Sequence, residues 1–144
     1  MILIAHRGNI IGPNLERENS PSYIQEALEQ GFAVEIDVWC EEGKYFLGHD
    51  APQYPIEVDF LRNEKLWCHA KNFEALKKML CHNIHCFWHQ EDSYVLTSKG
   101  HIWAYPCKEV GESTICVMPE QCGYDEDELF LCFGICSDYI ERYA

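Results

Sequence analysis

Short apolar runs alternate with amphipathic helices in the first part of this 144-residue chain, and this alternation constrains the fold more than any other feature. The runs have the length of strands, and most end at a polar residue followed by turn-forming residues. The predicted strands are Ile2–Ala5, Ala33–Trp39, Tyr45–Gly48, Leu66–Ala70, Ile84–Trp88, His101–Tyr105, Thr114–Met118 and Leu131–Ser137. Because alternating strands and helices are typical of βα units, we expect an α/β fold with a largely parallel sheet.

Two helices are predicted between these strands. The first follows Ser20, a good N-cap residue, begins with Pro21 and ends at Gly31. The second follows Asn72 as its cap and carries one apolar stripe in "FEALKKML". Each helix lies between two apolar runs, as a crossover between parallel strands requires.

Composition favours one globular domain over residues 1–144. Hydrophobic residues make up 47% of the chain, which is enough to fill a single core. The 24 acidic and 11 basic residues give a net charge of −13, which disfavours a nucleic-acid partner and attracts cations. No leader pattern precedes the first strand and no apolar run is long enough for a membrane span, so we expect a cytoplasmic protein.

The nine cysteines do not form a recognisable disulfide or zinc framework, because their number is odd and they contain no CxxC pair. We expect most of them to be buried free thiols in a reducing compartment. Cys132 and Cys136 are the one pair considered for a metal or a disulfide.

Glu35 and Asp37 lie two residues apart in a predicted strand, so both point to the same side of it. Two carboxylates buried together repel each other unless a cation or a proton lies between them. A strand that turns its polar side to water is the alternative. We interpret the pair as metal-binding because its neighbours Val34, Ile36 and Val38 are apolar.

Five further polar residues lie at or near the carboxyl ends of predicted strands, where α/β folds place ligands: His6, Arg7, His49, His69 and Lys71. Taken singly, His69 could be a hydrogen-bonded core histidine and Lys71 a solvated strand end. Together with two carboxylates the set suits phosphoester chemistry. A divalent ion polarises the phosphoryl oxygens, two histidines exchange protons, and the fixed cations bind non-bridging oxygens.

Several motifs resemble those of the glycerophosphodiester phosphodiesterase family. In the first 50 residues they are "AHRG" at 5–8, "ENS" at 18–20, "VEIDV" at 34–38 and "GHD" at 48–50. Later and weaker matches are "HAK" at 69–71, "IWAYP" at 102–106 and "GICSDY" at 134–139. The resemblance therefore covers the whole chain and is strongest in its first third.

The resemblance implies a TIM-type barrel in which His6 and His49 are the acid-base pair and Glu35 and Asp37 bind magnesium or calcium. Family members hydrolyse glycerophosphodiesters to glycerol 3-phosphate and an alcohol, through attack by the glycerol 2-hydroxyl and a cyclic phosphate. Two alternatives stand beside this activity. One is a catalytically weak protein that binds a phosphorylated ligand or a partner, and the other is a phospholipase-type lyase that ends at the cyclic phosphate.

Substrate contacts are predicted for four residues. By resemblance, Arg7 and Lys71 lie beside the phosphate of a small phosphodiester. Glu18 approaches the site, with helix capping or a contact to Arg7 as the alternative role. Trp103 lies on the strand similar to the family's tryptophan strand and could stack on the substrate alcohol, with a core position as the alternative.

His69 departs from the family pattern, because it stands where the third metal-binding carboxylate would lie. The third ligand is therefore this imidazole, or it has moved to another strand end. The candidates for a moved ligand are His89, Glu91 and Glu120. An imidazole ligand shifts the metal preference from magnesium or calcium toward manganese, zinc or iron.

The chain is also short, since a full barrel of this type takes roughly 250 residues. We therefore expect a reduced TIM-type barrel of about seven mostly parallel strands, with several outer helices shortened or lost. "YDEDELFL", for example, has room for barely two helical turns. Missing helices would expose apolar sheet faces, so we expect loops to pack over them or chains to pair as a homo-oligomer.

Overall fold

A computed structural model describes all residues, 1–144, as ten strands and three α-helices joined by turns and short 3-10 segments. The strands are β1 (Ile2–His6), β2 (Ala33–Glu41), β3 (Lys44–Leu47), β4 (Tyr54–Ile56), β5 (Leu66–Ala70), β6 (Cys86–Phe87), β7 (Tyr94–Leu96), β8 (Ile102–Ala104), β9 (Thr114–Val117) and β10 (Gly134–Ser137). The α-helices are α1 (Pro21–Glu29), α2 (Phe73–Cys81) and α3 (Glu126–Leu131). None of them has the length and apolar character needed to cross a bilayer.

Seven strands pair in parallel, in the order β6-β5-β2-β1-β10-β9-β8. Strands β3 and β4 continue from β2 as an antiparallel meander, and β7 pairs antiparallel with β8. The first strand lies between β2 and the last strand, with His6 opposite Glu35 and Ala5 opposite Ser137. The predicted α/β class with a mostly parallel sheet is confirmed.

The sheet curls until its two end strands approach each other. The rings of Phe87 in β6 and Trp103 in β8 pack with their centroids 4.6 Å apart. The backbone N–H of Ser98 donates to the carbonyl of Cys86 at 2.8 Å, and its Oγ accepts from the Cys86 N–H at 2.9 Å. The concave face is lined by one buried residue or more from each parallel strand, including Ile4, Ala33, Trp67, Phe87, Trp103, Ile115 and Cys136.

The convex face of the sheet carries the larger hydrophobic core, which α1 and α2 cover. Both helices begin at the predicted caps. The Asn72 Oδ1 accepts from the Ala75 N–H at 3.0 Å, whereas the Ser20 side chain makes no capping hydrogen bond. The fully buried helix residues of this core are Ile24, Ala27, Ala75 and Met79. Burying these apolar faces holds the helices against the sheet.

Strands β8 and β9 have no long outer helix, and residues of the two segments that flank β9, 105–113 and 118–124, pack against the core instead. Val110 and Tyr124 pack against the core, and the Tyr124 hydroxyl donates to the carbonyl of Lys108 at 2.6 Å. Leu96 and Phe130 stay largely exposed, at 70% and 83%. Loop packing therefore replaces part of the missing helical layer.

The structure corrects one predicted strand boundary and adds two short strands. The last strand begins at Gly134 rather than at Leu131, because residues 126–131 form α3. Asp125 starts that helix with a capping box in which its side chain accepts from the Glu128 N–H at 2.8 Å. Strands β4 and β7 were not predicted; each has only three residues and depends on its antiparallel partner.

The cysteines follow the prediction in part. Seven of the nine are free thiols, and six of these are buried. The interpretation of Cys132 and Cys136 as the pair to consider for a bridge is wrong, because both are free and the one disulfide joins Cys107 to Cys122. This bridge joins the two segments that flank β9.

Candidate functional site

A cavity of about 440 Å³ opens at the carboxyl ends of the parallel strands, and we call it the site cavity. It brings together seven of the nine predicted site residues: His6, Arg7, Glu35, His49, His69, Lys71 and Trp103. The other two, Asp37 and Glu18, lie behind this lining in contact with Arg7. The parallel register of the strands produces the clustering, because it brings their carboxyl ends to one edge.

Glu35 and Asp37 point into the concave side of the sheet and are only 2% and 0% exposed. Their neighbours Val34 and Ile36 point to the convex core, as the two-residue period of a strand requires. Strand β5 runs parallel beside β2 and sets His69 opposite Asp37. One donor atom from each of the three polar side chains lies within 4.8 Å of the others.

The tautomer of His69 can be assigned from its contacts. Its Nε2 lies 2.9 Å from the backbone carbonyl of His89, and a carbonyl can only accept, so Nε2 carries a proton. In the neutral ring Nδ1 then keeps its lone pair. That atom lies 3.2 Å from Asp37 Oδ1 and 3.7 Å from Glu35 Oε1. A histidine fixed through one nitrogen and free at the other is the usual arrangement of a metal ligand.

Two buried carboxylate oxygens, Glu35 Oε2 and Asp37 Oδ1, make no hydrogen bond. Burial raises the pKa of Glu35, and the nearby Asp37 charge adds to this effect. Burial also opposes ionisation of Asp37, but the contact with His69 and the charges of Arg7 and Lys71 outweigh it and hold its pKa well below the usual range. Two unpaired carboxylate oxygens and the imidazole nitrogen beside them form a donor set that fits a divalent cation.

The second oxygen of Asp37 is held by the protein. Its Oδ2 accepts from Asn19 Nδ2 at 2.8 Å and lies 3.0 Å from Arg7 Nε, while the Asp37 N–H donates to Asn19 Oδ1 at 2.9 Å. Arg7 Nη1 also donates to Glu18 Oε2 at 3.2 Å. Arg7 and Asn19 have φ angles of 53° and 63°, in the left-handed region where non-glycine residues are strained. This strained pair orients Asp37 so that Oδ1 stays free.

His6 is oriented by a carboxylate from the last strand. Its Nδ1 lies 2.7 Å from Asp138 Oδ1, so Nδ1–H donates and Nε2 remains free, 3.8 Å from Glu35 Oε2. Burial alone would lower the pKa of His6. The hydrogen bond to Asp138 and the charge of Glu35 outweigh this effect, so the pKa lies above its usual value. The pair therefore presents an imidazole of fixed orientation to the site cavity.

Asn9 and Glu120 support Asp138. The buried Asn9 Nδ2 donates to Asp138 Oδ1 and to Glu18 Oε1, each at 2.8 Å. Glu120 accepts from the Ser137 hydroxyl at 2.9 Å and from the Asp138 N–H at 3.3 Å. These bonds fix the carboxylate that orients the His6 ring.

His49 reaches the site cavity from a tight turn after β3. Its Nδ1 donates to Asp50 Oδ1 at 2.7 Å, and its side chain is 43% exposed. Gly48 precedes it with a φ of 152°, and a Cβ atom there would overlap the carbonyl of Ala51. The Gly48 N–H donates to the carbonyl of Asp37 at 3.2 Å, which ties this turn to the carboxylate strand. Both histidines thus hold Nδ1 on a carboxylate and leave Nε2 free.

Aromatic rings form the opposite wall of the site cavity. Trp103 is 5% exposed and packs between Phe87 and Trp67, with centroids 4.6 and 6.1 Å away. It is a core residue whose surface also lines the cavity. The rings of His89 and Tyr105 stack 5.5 Å apart beside it.

Glu120 and His89 have partners other than the carboxylate pair. The Glu120 carboxylate is taken up by Ser137 and Asp138, and His89 Nε2 donates to the carbonyl of Asp92 at 2.9 Å. Neither these residues nor Glu91 joins the group of donors around Glu35 and Asp37, which His69 completes.

Three residues of the site were missed by sequence reasoning: Asn9, Asn19 and Asp138. Asn19 and Asp138 lie within the quoted motifs "ENS" and "GICSDY", yet no role was derived for them. A signal existed for Asp138, since it follows the end of a buried strand as His6 ends another.

Comparison with protein-family models, with curated proteins and with solved structures finds no match to the chain.

Proposed function

We propose that the chain is a metal-dependent phosphodiesterase that hydrolyses a small glycerophosphodiester on a reduced TIM-type (β/α) barrel. One observation carries this proposal. Two buried carboxylates and an imidazole, whose donor atoms lie within 4.8 Å of one another, meet beside the cavity into which two carboxylate-bound histidines present free Nε2 atoms. Acyl transfer would need a nucleophilic serine or cysteine beside a histidine, and no such side chain lines this cavity.

Glu35, Asp37 and His69 would hold one divalent cation. When bound, the cation supplies Lewis acidity to the phosphoryl oxygens and neutralises their charge. Magnesium or calcium follows from the family resemblance, whereas the imidazole ligand favours manganese or zinc. The fixed Nε2–H bond to His89 supports His69 as a ligand, because it leaves only Nδ1 to face the carboxylates.

The two histidines suit opposite proton transfers. The glycerol 2-hydroxyl would attack phosphorus and lose its proton to one imidazole, while the P–O bond to the alcohol breaks and the departing oxygen takes a proton from the other. Water then opens the cyclic phosphate to glycerol 3-phosphate. Because His6 is held by Asp138 and His49 by Asp50, each ring acts through Nε2.

Lys71 is the better placed cation for the phosphate. Its Nζ has one distant contact, 3.7 Å from Asp37 Oδ1, so its donors are available in the site cavity. Arg7 faces Asp37 and Glu18 through Nε and Nη1, so it positions Asp37 first and can offer the phosphate its remaining donors. Glu18 therefore acts on the substrate through Arg7.

Product analysis distinguishes hydrolysis from the lyase alternative. A panel of glycerophosphodiesters is incubated with the metal-stripped protein and added magnesium, calcium, manganese or zinc. Glycerol 3-phosphate as the end product supports the proposal, and accumulation of the cyclic phosphate supports the lyase. The exposed His49 leaves the cavity open to water, which favours hydrolysis.

Asp37→Asn tests the metal role in the same assay. We expect it to lower metal affinity and to abolish turnover, because it removes the charge that faces His69 and Lys71. Asp59→Asn, at a carboxylate that is 90% exposed, is the matched control and should keep full activity. If the parent protein binds phosphodiesters but does not turn them over, the enzyme proposal is wrong and a phospho-ligand-binding function takes its place.

A further inference from the structure

A second cavity of about 730 Å³ opens at the amino-terminal ends of the parallel strands, opposite the site cavity, and we call it the lower cavity. Trp67, His85 and His101 line it with their rings, and Glu64, Lys65 and Lys99 add charged side chains. At this level the inward residue of β2 is only an alanine, Ala33, whose small side chain leaves space between the strands. Its volume lies within the range of small-molecule sites, about 300–1,000 Å³.

The aromatic rings form a rigid floor and wall. The Trp67 ring lies 4.4 Å from His85 and 5.3 Å from His101, at interplanar angles of 61° and 47°. His101 in turn stacks on Phe133 at 4.1 Å. A planar ring that enters the cavity can therefore stack on one of these rings and meet the edge of another.

His85 supplies a polar atom that the fold does not use. It is 94% buried, since its relative exposure is 6%, and its Nε2 is hydrogen-bonded to Thr97 Oγ1 at 2.9 Å. Its Nδ1 has no hydrogen-bond partner in the protein, although the residue lines the cavity. Burial lowers the pKa of His85 to about 4, so at neutral pH the ring is uncharged and offers a hydrogen bond rather than a charge.

The rim of the lower cavity is more basic than the chain as a whole. Two lysines, Lys65 and Lys99, and only one carboxylate side chain, Glu64, line it, in a protein of net charge −13. Lys65 is anchored, because its Nζ donates to the carbonyl of Gly31 at 3.2 Å. An anionic group at this rim would find local attraction that the rest of the surface does not provide.

We propose that the lower cavity is a second ligand site, for a planar aromatic compound that carries one anionic group. The ring stacks on Trp67 and His101, a polar ring atom or the anion bonds His85 Nδ1, and the anion lies near Lys99. The lower cavity is separate from the candidate metal site, because none of Glu35, Asp37 and His69 lines it.

Binding of 2-naphthoate to the untagged protein tests this site, since Met1 and Ala144 also line the cavity. Tryptophan fluorescence measures the affinity, and the NMR shift of the Trp67 indole N–H locates the probe. Naphthalene-2-methanol has the same rings without the charge, and we expect it to bind at least about fivefold more weakly. Equal binding of the two probes, or no binding at millimolar concentration, overturns the proposal.

Variants separate the lower cavity from other places where the probe could bind. Lys99→Glu should weaken 2-naphthoate about fivefold, and Lys77→Glu, the same change on an exposed lysine of α2 outside the cavity, should not. His85→Phe should weaken it as well; if that variant does not fold, Lys99→Glu decides alone. Asp37→Asn should bind the probe like the parent. A loss of binding in Asp37→Asn would place the probe at the candidate metal site and overturn the proposal.

Discussion

His6 and Asp138 stand 132 positions apart in the chain and are joined by a hydrogen bond of 2.7 Å at the edge of the sheet. The contact follows from topology, because β1 and β10 are parallel neighbours in register and these residues come at and just after their carboxyl ends. The first and last strands thus complete the same imidazole-carboxylate pair.

Asp138→Asn should therefore impair His6 without removing it. The variant replaces the charged carboxylate that accepts from Nδ1–H with a neutral amide. The His6 ring therefore loses its fixed tautomer and its raised pKa. We expect kcat to fall about 10²-fold or more, while metal affinity is kept. Titration of the metal beside steady-state kinetics measures both. Equal kcat in the variant would remove Asp138 from the mechanism.

His49→Ala should lower turnover by a factor of about 10²–10⁴ and leave the fold intact. The side chain is 43% exposed and its one hydrogen bond is to the exposed Asp50, so little packing depends on it. Phosphodiesterase assays with circular dichroism as the folding control measure the two effects. A loss of under tenfold would rule out His49 as a proton donor or acceptor.

The sequence predicted the candidate metal-binding residues better than it predicted the residues that hold the site's side chains in place. Strand alternation placed Glu35, Asp37 and His69 on one face because side-chain direction within a strand is a local property. The hydrogen bonds from Asn19 to Asp37 and from Asn9 to Asp138 join distant segments. Such contacts depend on strand order and on strained loop conformations, which no local pattern encodes.

The same distinction applies to the outer elements. α1 and α2 were predictable because their caps and apolar stripes are continuous in sequence. Strands β4 and β7 and the Cys107–Cys122 bridge were not, since each depends on a partner that the chain supplies elsewhere. The lower cavity was missed for a related reason: the residues that line it come from the ends of several strands that lie far apart in the sequence.

His69→Glu should change which metal supports activity. A carboxylate in place of the Nδ1 lone pair makes the donor set all oxygen, and such a set prefers magnesium or calcium to manganese or zinc. Metal titrations and activity with each ion compare the parent with the variant. An identical metal profile in both proteins argues that His69 has a core role.

Reduction of the Cys107–Cys122 disulfide should lower the free energy of unfolding by about 3 kcal/mol, because the bridge closes a loop of 15 residues. Denaturant unfolding with and without a reducing agent measures the change. The double variant Cys107→Ser/Cys122→Ser should match the reduced parent and should not respond to the reducing agent. An unchanged midpoint on reduction contradicts a structural role for the bridge.

The burial of His85 predicts a pH-dependent contribution to stability. Its pKa is about 4 in the fold against about 6.5 in an unfolded chain, so between these values the unfolded chain takes up a proton that the folded one does not. The contribution is therefore fully present above about pH 6.5 and is lost as the pH falls toward 4. His85→Phe fills the space beside Trp67 without a titrating group, so its free energy of unfolding should fall less over this range. Replacing the exposed His82 by Phe controls for the loss of an imidazole elsewhere, and equal slopes in the parent and in His85→Phe would show that His85 does not contribute.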